Sequence, residues 1–516
     1  MSTPAPAALT PRQILTAMSG LVVAMLLAQL DNMIVAPALP TIVGDLGGLE
    51  HLSWVVTGYI LASTIATPIW GKLGDLLGHK ATFMASIVVF LVGSALCGMS
   101  QDMLELVLFR AFQGLGAGGL MVGIMSVIGM MVSPRERGKY VGVMMAVMPA
   151  AMIGGPLIGG FITDNASWRW AFYVNLPLGL LSLFVVWHTL NLPAESRPAK
   201  VVIDWWGAAL LSIWTTALIL LITWGGNQFA WSSWPTYLLG VTAVLGLAAF
   251  LLVEQRVAEP IIPLRLFGIR NFSLANAMGF VAGFAMFGGI TFLPQFQQFV
   301  QGQSATSSGL LLMPLMVAAM VASLLSGQLI SRTGRYKVFP ILGTALLAIG
   351  MWLFSTMDVT TSTGVTAAYM VVLGAGMGCL MQTTNLIAQN SVELRDIGSA
   401  TGSTTFTRTM GGSLGVAILG AIYTHELTTT LSGAAGARGA ASDSSGLTPA
   451  AVKNLPAPVR ELFQLAVANG TVAIFFWAAI VGVVGFAASW FIRELPLRDT
   501  VHGPAEMVEE TEALAM

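Results

Sequence analysis

Apolar runs of about 20 residues, broken by short clusters of Gly, Pro and charge, recur along almost the whole 516-residue chain. Six fall at about 14–37, 53–73, 81–100, 104–131, 138–163 and 170–190. A pair follows at about 204–225 and 235–254, and six more at about 272–299, 306–330, 338–357, 364–389, 397–424 and 470–492. Each run is long enough to cross a hydrocarbon core of about 30 Å as a helix. The pattern predicts an all-α membrane protein with 14 transmembrane helices.

Charge fixes the orientation. Placing the N-terminus inside puts seventeen of the 23 Lys and Arg in inner segments, with only Arg169, Arg438, Lys453 and Arg460 outside and Arg110 and Arg408 within spans. The excess of Lys and Arg on one side makes that side cytoplasmic, and an even number of spans puts both termini there. The long outer connection at about 425–469 is Ala/Gly/Ser-rich before TPAAVKNLPAPVRELF, a composition that suits a short amphipathic helix or partial disorder.

The two six-helix groups echo one another. GKLGDLLGHK at 71–80 recurs as GQLISRTGRYK at 327–337, so that Gly71, Leu73 and Gly78 map onto Gly327, Leu329 and Gly334. The same offset of 256 carries Gly155 and Gly159 onto Gly411 and Gly415, and GLGAG at 114–118 is echoed by GAGMG at 374–378. This predicts a cytoplasmic tail over 1–13, a first half over 14–190, a linker with two inserted helices over 191–271, a second half over 272–492 and a cytoplasmic tail over 493–516. Two parallel halves are the sign of a secondary transporter that rocks about a site at mid-membrane.

Composition excludes several other classes. Charged residues are only 9% of the chain and the net charge is −1, with no basic run to bind nucleic acid. Cys97 and Cys379 both lie in apolar stretches and read as small hydrophobes, and the five His are scattered without metal-ligand spacing. Gly114–Gly119 satisfies a G-x-G-x-x-G template but sits mid-span with no preceding strand, which fits close helix packing better than a dinucleotide. No phosphate-binding G-x-x-x-x-G-K-[ST] loop occurs. The chain is therefore expected to be no enzyme, to need no cofactor, and to be driven by an ion gradient. The segment 71–80, with Gly71, Asp75, Gly78 and Lys80, is expected to face Arg135 and Arg137 of the next inner loop. There Asp75 would cap a helix N-terminus or pair with arginines in one of two conformations, as a latch.

LDNMIVAPALP (30–40), GKLGDLLGHK (71–80), RAFQGLGAG (110–118), GGPLIGG (154–160), WRWAFYVNLPLG (168–179) and FTRTMGGSLG (406–415) together resemble the major facilitator superfamily, most of all its fourteen-helix drug:proton antiporter branch. The resemblance covers about residues 14–492 and implies that Gly155, Pro156, Gly159 and Gly160 form the helix-five element associated with antiport. The chain departs from the family pattern at Leu76 and His79, where basic residues are usual, at Ser331, which replaces the acid in the second copy, and at Met33, Ala36 and Pro37.

Of 24 acidic residues only Asp31 lies deep in a span. A charged side chain there costs about 2.5–3.5 kcal/mol on insertion scales, so it should face a cavity or a partner. Asp31 lies about six residues below the outer boundary, roughly 9 Å, and Arg110 of the fourth span lies at the same depth. The two are expected to meet and to carry the proton. Arg408 is expected near the inner end of its span, tied to carbonyls or snorkelling. Candidate substrate contacts are Asn32, Trp54, Tyr59, Gln113, Phe296, Gln382 and Asn385. The expected protein is a monomeric multidrug efflux pump of the bacterial inner membrane, exchanging protons for hydrophobic, cationic or amphipathic compounds. Its rivals are a dedicated exporter of one endogenous antibiotic, metabolite or lipid and, last, a non-transporting membrane sensor.

Overall fold

The computed structural model describes residues 11–47, 52–145, 147–190, 202–225, 228–432, 452 and 456–497. Most of the expected N-terminal tail and C-terminal tail, part of the 191–271 linker and the centre of the 425–469 connection lie outside the described residues.

Among the described residues the chain is helical throughout, without strands. The first set comprises α1 (Pro11–Leu46), α2 (Leu52–Leu77), α3 (His79–Met99), α4 (Met103–Met131), α5 (Pro134–Met145), α6 (Val147–Asn165), α7 (Trp170–Tyr173) and α8 (Asn175–Thr189). Two helices follow, α9 (Trp205–Trp224) and α10 (Trp234–Glu254). The second set is α11 (Leu264–Phe267), α12 (Arg270–Phe299), α13 (Ala305–Leu310), α14 (Met313–Thr333), α15 (Val338–Phe354), α16 (Thr363–Asn390), α17 (Ile397–Ser432) and α18 (Ala457–Ser489). Side chains end the helices locally: the carboxylates of Asp102 and Asp204 accept from the Glu105 and Gly207 N–H groups, and Gly334 closes α14 at φ 71°.

Eleven described helices are long and apolar enough to cross a membrane, and α15 is apolar but only 17 residues long. The long helices α2 and α17 fall outside the eleven. Both pack against protein on several sides, α2 on α4, α17 and α9, and α17 on α12, α2 and α18. The hydroxyls of Thr401, Ser403 and Thr404 donate to the carbonyls of Ile397, Ser399 and Ala400 one turn back, so a polar helix can be buried there with its donors satisfied.

Within the first set, α2 packs on α4, α3 on α4, α1 on α6, α1 on α8 and α3 on α8. The second set repeats these pairings as α14 on α16, α15 on α16, α12 on α17, α12 on α18 and α15 on α18. Each set has its own apolar core. Two crossings join them, α2 with α17 and α5 with α14, and exchanging the sets turns one crossing into the other.

Candidate functional site

Asp31 sits on the inner face of α1, fully buried, and the structure brings it to Arg110 of α4. One Arg110 amino group donates to Asp31 Oδ2 at 2.7 Å, and Gln113, one turn further along α4, donates through Nε2 to Oδ1 at 2.8 Å. The same arginine nitrogen donates to Gln113 Oε1 at 2.8 Å, and its Nε donates to the Val55 carbonyl at 3.3 Å. The guanidinium lies 4.1 Å from the centre of the Tyr59 ring, a cation–π contact. Such a pair satisfies most of the polar atoms that burial would otherwise leave exposed to hydrocarbon.

A further member comes from the start of α8. Asn175 Nδ2 donates to Asp31 Oδ1 at 2.7 Å and to Ser94 Oγ of α3 at 2.9 Å. Sequence reasoning quoted the WRWAFYVNLPLG stretch but did not single out Asn175. Its signal was an amide one turn into an otherwise apolar span.

The remaining candidates divide. Gln113 and Tyr59 belong to the Asp31 cluster. Asn32 turns its amide to the Ala28 carbonyl, Trp54 packs edge-on against Trp224 of α9 at 5.2 Å, and Phe296 is buried in the core of the second set. Gln382 accepts from Ser323 and Asn385 from Thr404. None of the seven lines the small apolar cleft between the sets. That cleft is bounded instead by Met148 of α6, Met286 of α12, Met316 and Met320 of α14, and Met377 and Met381 of α16. Arg408 lies eleven residues into α17, about 16 Å along its axis, with its backbone against Gly283.

At the Lys/Arg-rich end the two crossings close on glycines. A Cβ on Gly71 would stand 2.4 Å from the Gly398 carbonyl oxygen, and one on Gly327 would stand 2.3 Å from that of Gly138. Asp75 then caps α17 across the seam. Its carboxylate accepts from the Gly398 and Ser399 N–H groups at 2.7 Å each, and from Ser399 Oγ at 2.6 Å. Gly78, at φ 97°, allows the sharp turn into α3.

Arg135 and Arg137 do not face segment 71–80. Arg135 donates to the Ser331 carbonyl of α14, and Arg137 donates to Gln389 of α16 and to the Gly129 carbonyl. The reason is the exchange symmetry: the first loop motif meets the start of α17, so RERGK, at the start of α5, meets the second copy. Lys80 is turned away from both, donating to the Trp187 carbonyl of α8 at 2.8 Å. The segment leaving α10 adds two ties that sequence spacing did not reveal. Lys72 pairs with Glu259 at 2.6 Å, and Arg265 pairs with Asp396, just before α17, at 2.8 Å.

On α6, Gly155 and Gly159 face α1. Added Cβ atoms would stand 2.2 Å from Met33 Cβ and 2.5 Å from the Ile34 carbonyl oxygen, beside Asp31. Pro156 is exposed, and a Cβ on Gly160 would meet nothing within 4 Å. Gly159→Ala is therefore expected to destabilise the protein by about 1–3 kcal/mol through overpacking, whereas Gly160→Ala leaves stability unchanged or slightly raised. Thermal unfolding in detergent separates them, and equal melting temperatures would contradict this packing.

Two matched sets of helices that meet on glycine crossings, with a buried acid–base cluster inside the first set, point to a transporter architecture. The comparisons agree, because residues 21–416 match the Major Facilitator Superfamily, and the chain belongs to that family. It is 42% identical over 488 residues to an uncharacterized MFS-type transporter of Mycobacterium tuberculosis, covering 95% of this chain and 70% of that one. It is 39% identical over 404 residues to the multidrug transporter protein MdtP of Bacillus subtilis, covering 78% and 74%. It is 35% identical over 446 residues to multidrug resistance protein 3 of the same organism, covering 86% and 85%. In fold it is similar to the proton:xylose symporter XylE, with a TM-score of 0.61 at 14% identity over 98% of this chain and 99% of that one. The protein is a multi-pass membrane transporter of small molecules and not an enzyme.

Proposed function

We propose that the protein is a proton-coupled antiporter of the bacterial inner membrane that exports hydrophobic, cationic or amphipathic compounds. The observation that carries this is the Asp31–Arg110–Gln113–Asn175 cluster, a carboxylate fully buried yet held by donors from two other elements, able to exist charged in one state and neutral in another. Names of relatives as multidrug transporters support the substrate class. The cleft supports it too, because thioether side chains adapt to ligands of varied shape and none of its lining residues is charged.

Counting α2, α15 and α17 with the eleven apolar helices gives fourteen spans, with both termini in the cytoplasm. The closed seams lie at the cytoplasmic end, so the conformation is the outward-facing one. In it, Asp31 takes a proton as substrate leaves; in the inward-facing state it gives the proton up as substrate binds. The monomer suffices and the proton gradient is the driving force.

The test uses purified protein in vesicles with an imposed pH gradient. Adding a flat aromatic cation such as ethidium is expected to release protons from the acidic side and to be accumulated there, and a protonophore is expected to stop both. Accumulation that survives the protonophore would exclude proton coupling.

A further inference from the structure

We infer that Asn175 is a positioning residue of the proton step, an amide that turns over when Asp31 is protonated. The inference rests on Asp31 being the proton carrier. In the arrangement described, every group around the carboxylate is a donor: Arg110 to Oδ2, and both Gln113 and Asn175 to Oδ1. That suits an ionised acid. A protonated acid carries an O–H that needs an acceptor, and a donor left facing that hydrogen at about 2.7 Å cannot remain there. Arg110 has no acceptor to offer.

Two amides could reverse, and their surroundings differ. The Gln113 carbonyl oxygen already accepts from Arg110 at 2.8 Å and stands 3.7 Å from Cys97 Sγ, so turning Gln113 would strip the guanidinium of a partner. The Asn175 carbonyl oxygen is buried and has no hydrogen-bond partner among the described residues. Rotating that amide by half a turn breaks no bond to its oxygen. It carries the oxygen to the place now held by Nδ2, within reach of the Asp31 hydroxyl and of Ser94 Oγ. The Ser94 hydroxyl, which now donates to the Phe172 carbonyl at 2.8 Å, can turn to donate to the amide oxygen instead.

The other groups facing the site do not replace this acceptor. Tyr59 from α2 presents its ring to Arg110, Cys97 from α3 points at Gln113, and Phe172 from α7 presents its ring to Arg110 at 5.8 Å. Asn175 also lies near the start of the sixth span, just after Val174, where the backbone stays helical. A change in its bonds to α1 and α3 is thus a change in how the sixth span is tied to them, while Gln113 and Arg110 stay tied within α4.

Infrared difference spectra of the wild-type protein between acid and alkaline pH test this, with asparagine side chains labelled by nitrogen-15. The expected result is a carboxylic acid band, absent in Asp31→Asn, accompanied by an asparagine amide band that shifts with the label and disappears in Asn175→Leu. In vesicles, Asn175→Leu removes one donor from the charged acid and one acceptor from the neutral acid. The charged form loses the stronger bond, so the half-point of pH-driven exchange moves to higher pH by about one unit. An asparagine that merely donates to the charged acid would move that profile as well, so the label-dependent amide band, expected only if the side chain turns, decides between the two. A carboxylic acid band with no amide change, or an unmoved profile, overturns the role of Asn175 alone. The absence of any band that depends on Asp31 overturns the proton-carrier reading and this inference together.

Discussion

Asp31→Asn is expected to reduce pH-driven exchange to the level of empty vesicles while leaving substrate binding measurable. The substitution keeps the shape of the side chain and removes its only exchangeable proton. Gln113 and Asn175 can still bond to the new amide oxygen, but Arg110 loses its counter-charge where it is almost wholly enclosed. Removing one partner of a buried ion pair typically costs about 3–5 kcal/mol, so a lower melting temperature accompanies the loss of coupling. Substrate-induced stabilisation in a thermal-shift assay tells the two effects apart: it persists if the protein is folded but uncoupled. Full pH-driven exchange by Asp31→Asn would remove Asp31 from the mechanism.

Asp75→Ala is expected to open the seam between α2 and α17. The carboxylate holds two backbone N–H groups and a hydroxyl at the start of α17, where the helix dipole also favours negative charge. Hydrogen bonds to a charged group contribute about 1.5–3 kcal/mol each. Even if only about 3 kcal/mol of that total biases the state with the seam closed, its loss shifts the equilibrium roughly a hundredfold. Spin labels on the exposed Leu77 and Arg395 would report the separation of α2 from α17. The two native cysteines, Cys97 and Cys379, are buried and leave the labelling specific. An unchanged distance distribution would mean that the glycine crossings and the remaining ties hold the seam without Asp75.

The parts legible in the sequence were those governed by spacing along one helix. Apolar runs of span length located the helices, and depth bookkeeping at 1.5 Å per residue put Asp31 level with Arg110. Partners chosen by tertiary packing were not legible. Nothing near residue 75 names Gly398 and Ser399 as donors to its carboxylate, since they lie 323 and 324 positions further along the chain. The candidate substrate residues were picked for polarity or aromatic character, yet in a tightly packed span those same properties recruit intramolecular partners. Gln382, Asn385 and Trp54 were each used up in that way. Methionine carries no such pull, which is why the cleft fell to side chains that composition alone did not mark. The orphaned oxygen of Asn175 was equally invisible, because only the three-dimensional arrangement of α1, α3 and α8 leaves it without a donor.

The exit from the inserted pair bears on how such a chain can be shortened. Glu259 holds α2 of one half and Arg265 holds the turn before α17 of the other, so this stretch bridges the line along which the halves must part. Excising α9 and α10 together with that stretch would not yield a simpler transporter of the same energetics. It would sever a tie on each side of the moving line, and every transport cycle would start from a differently balanced resting state. A descendant of this chain without α9 and α10 would have to rebuild that balance at Asp75 or at the glycine crossings before it could keep the original turnover.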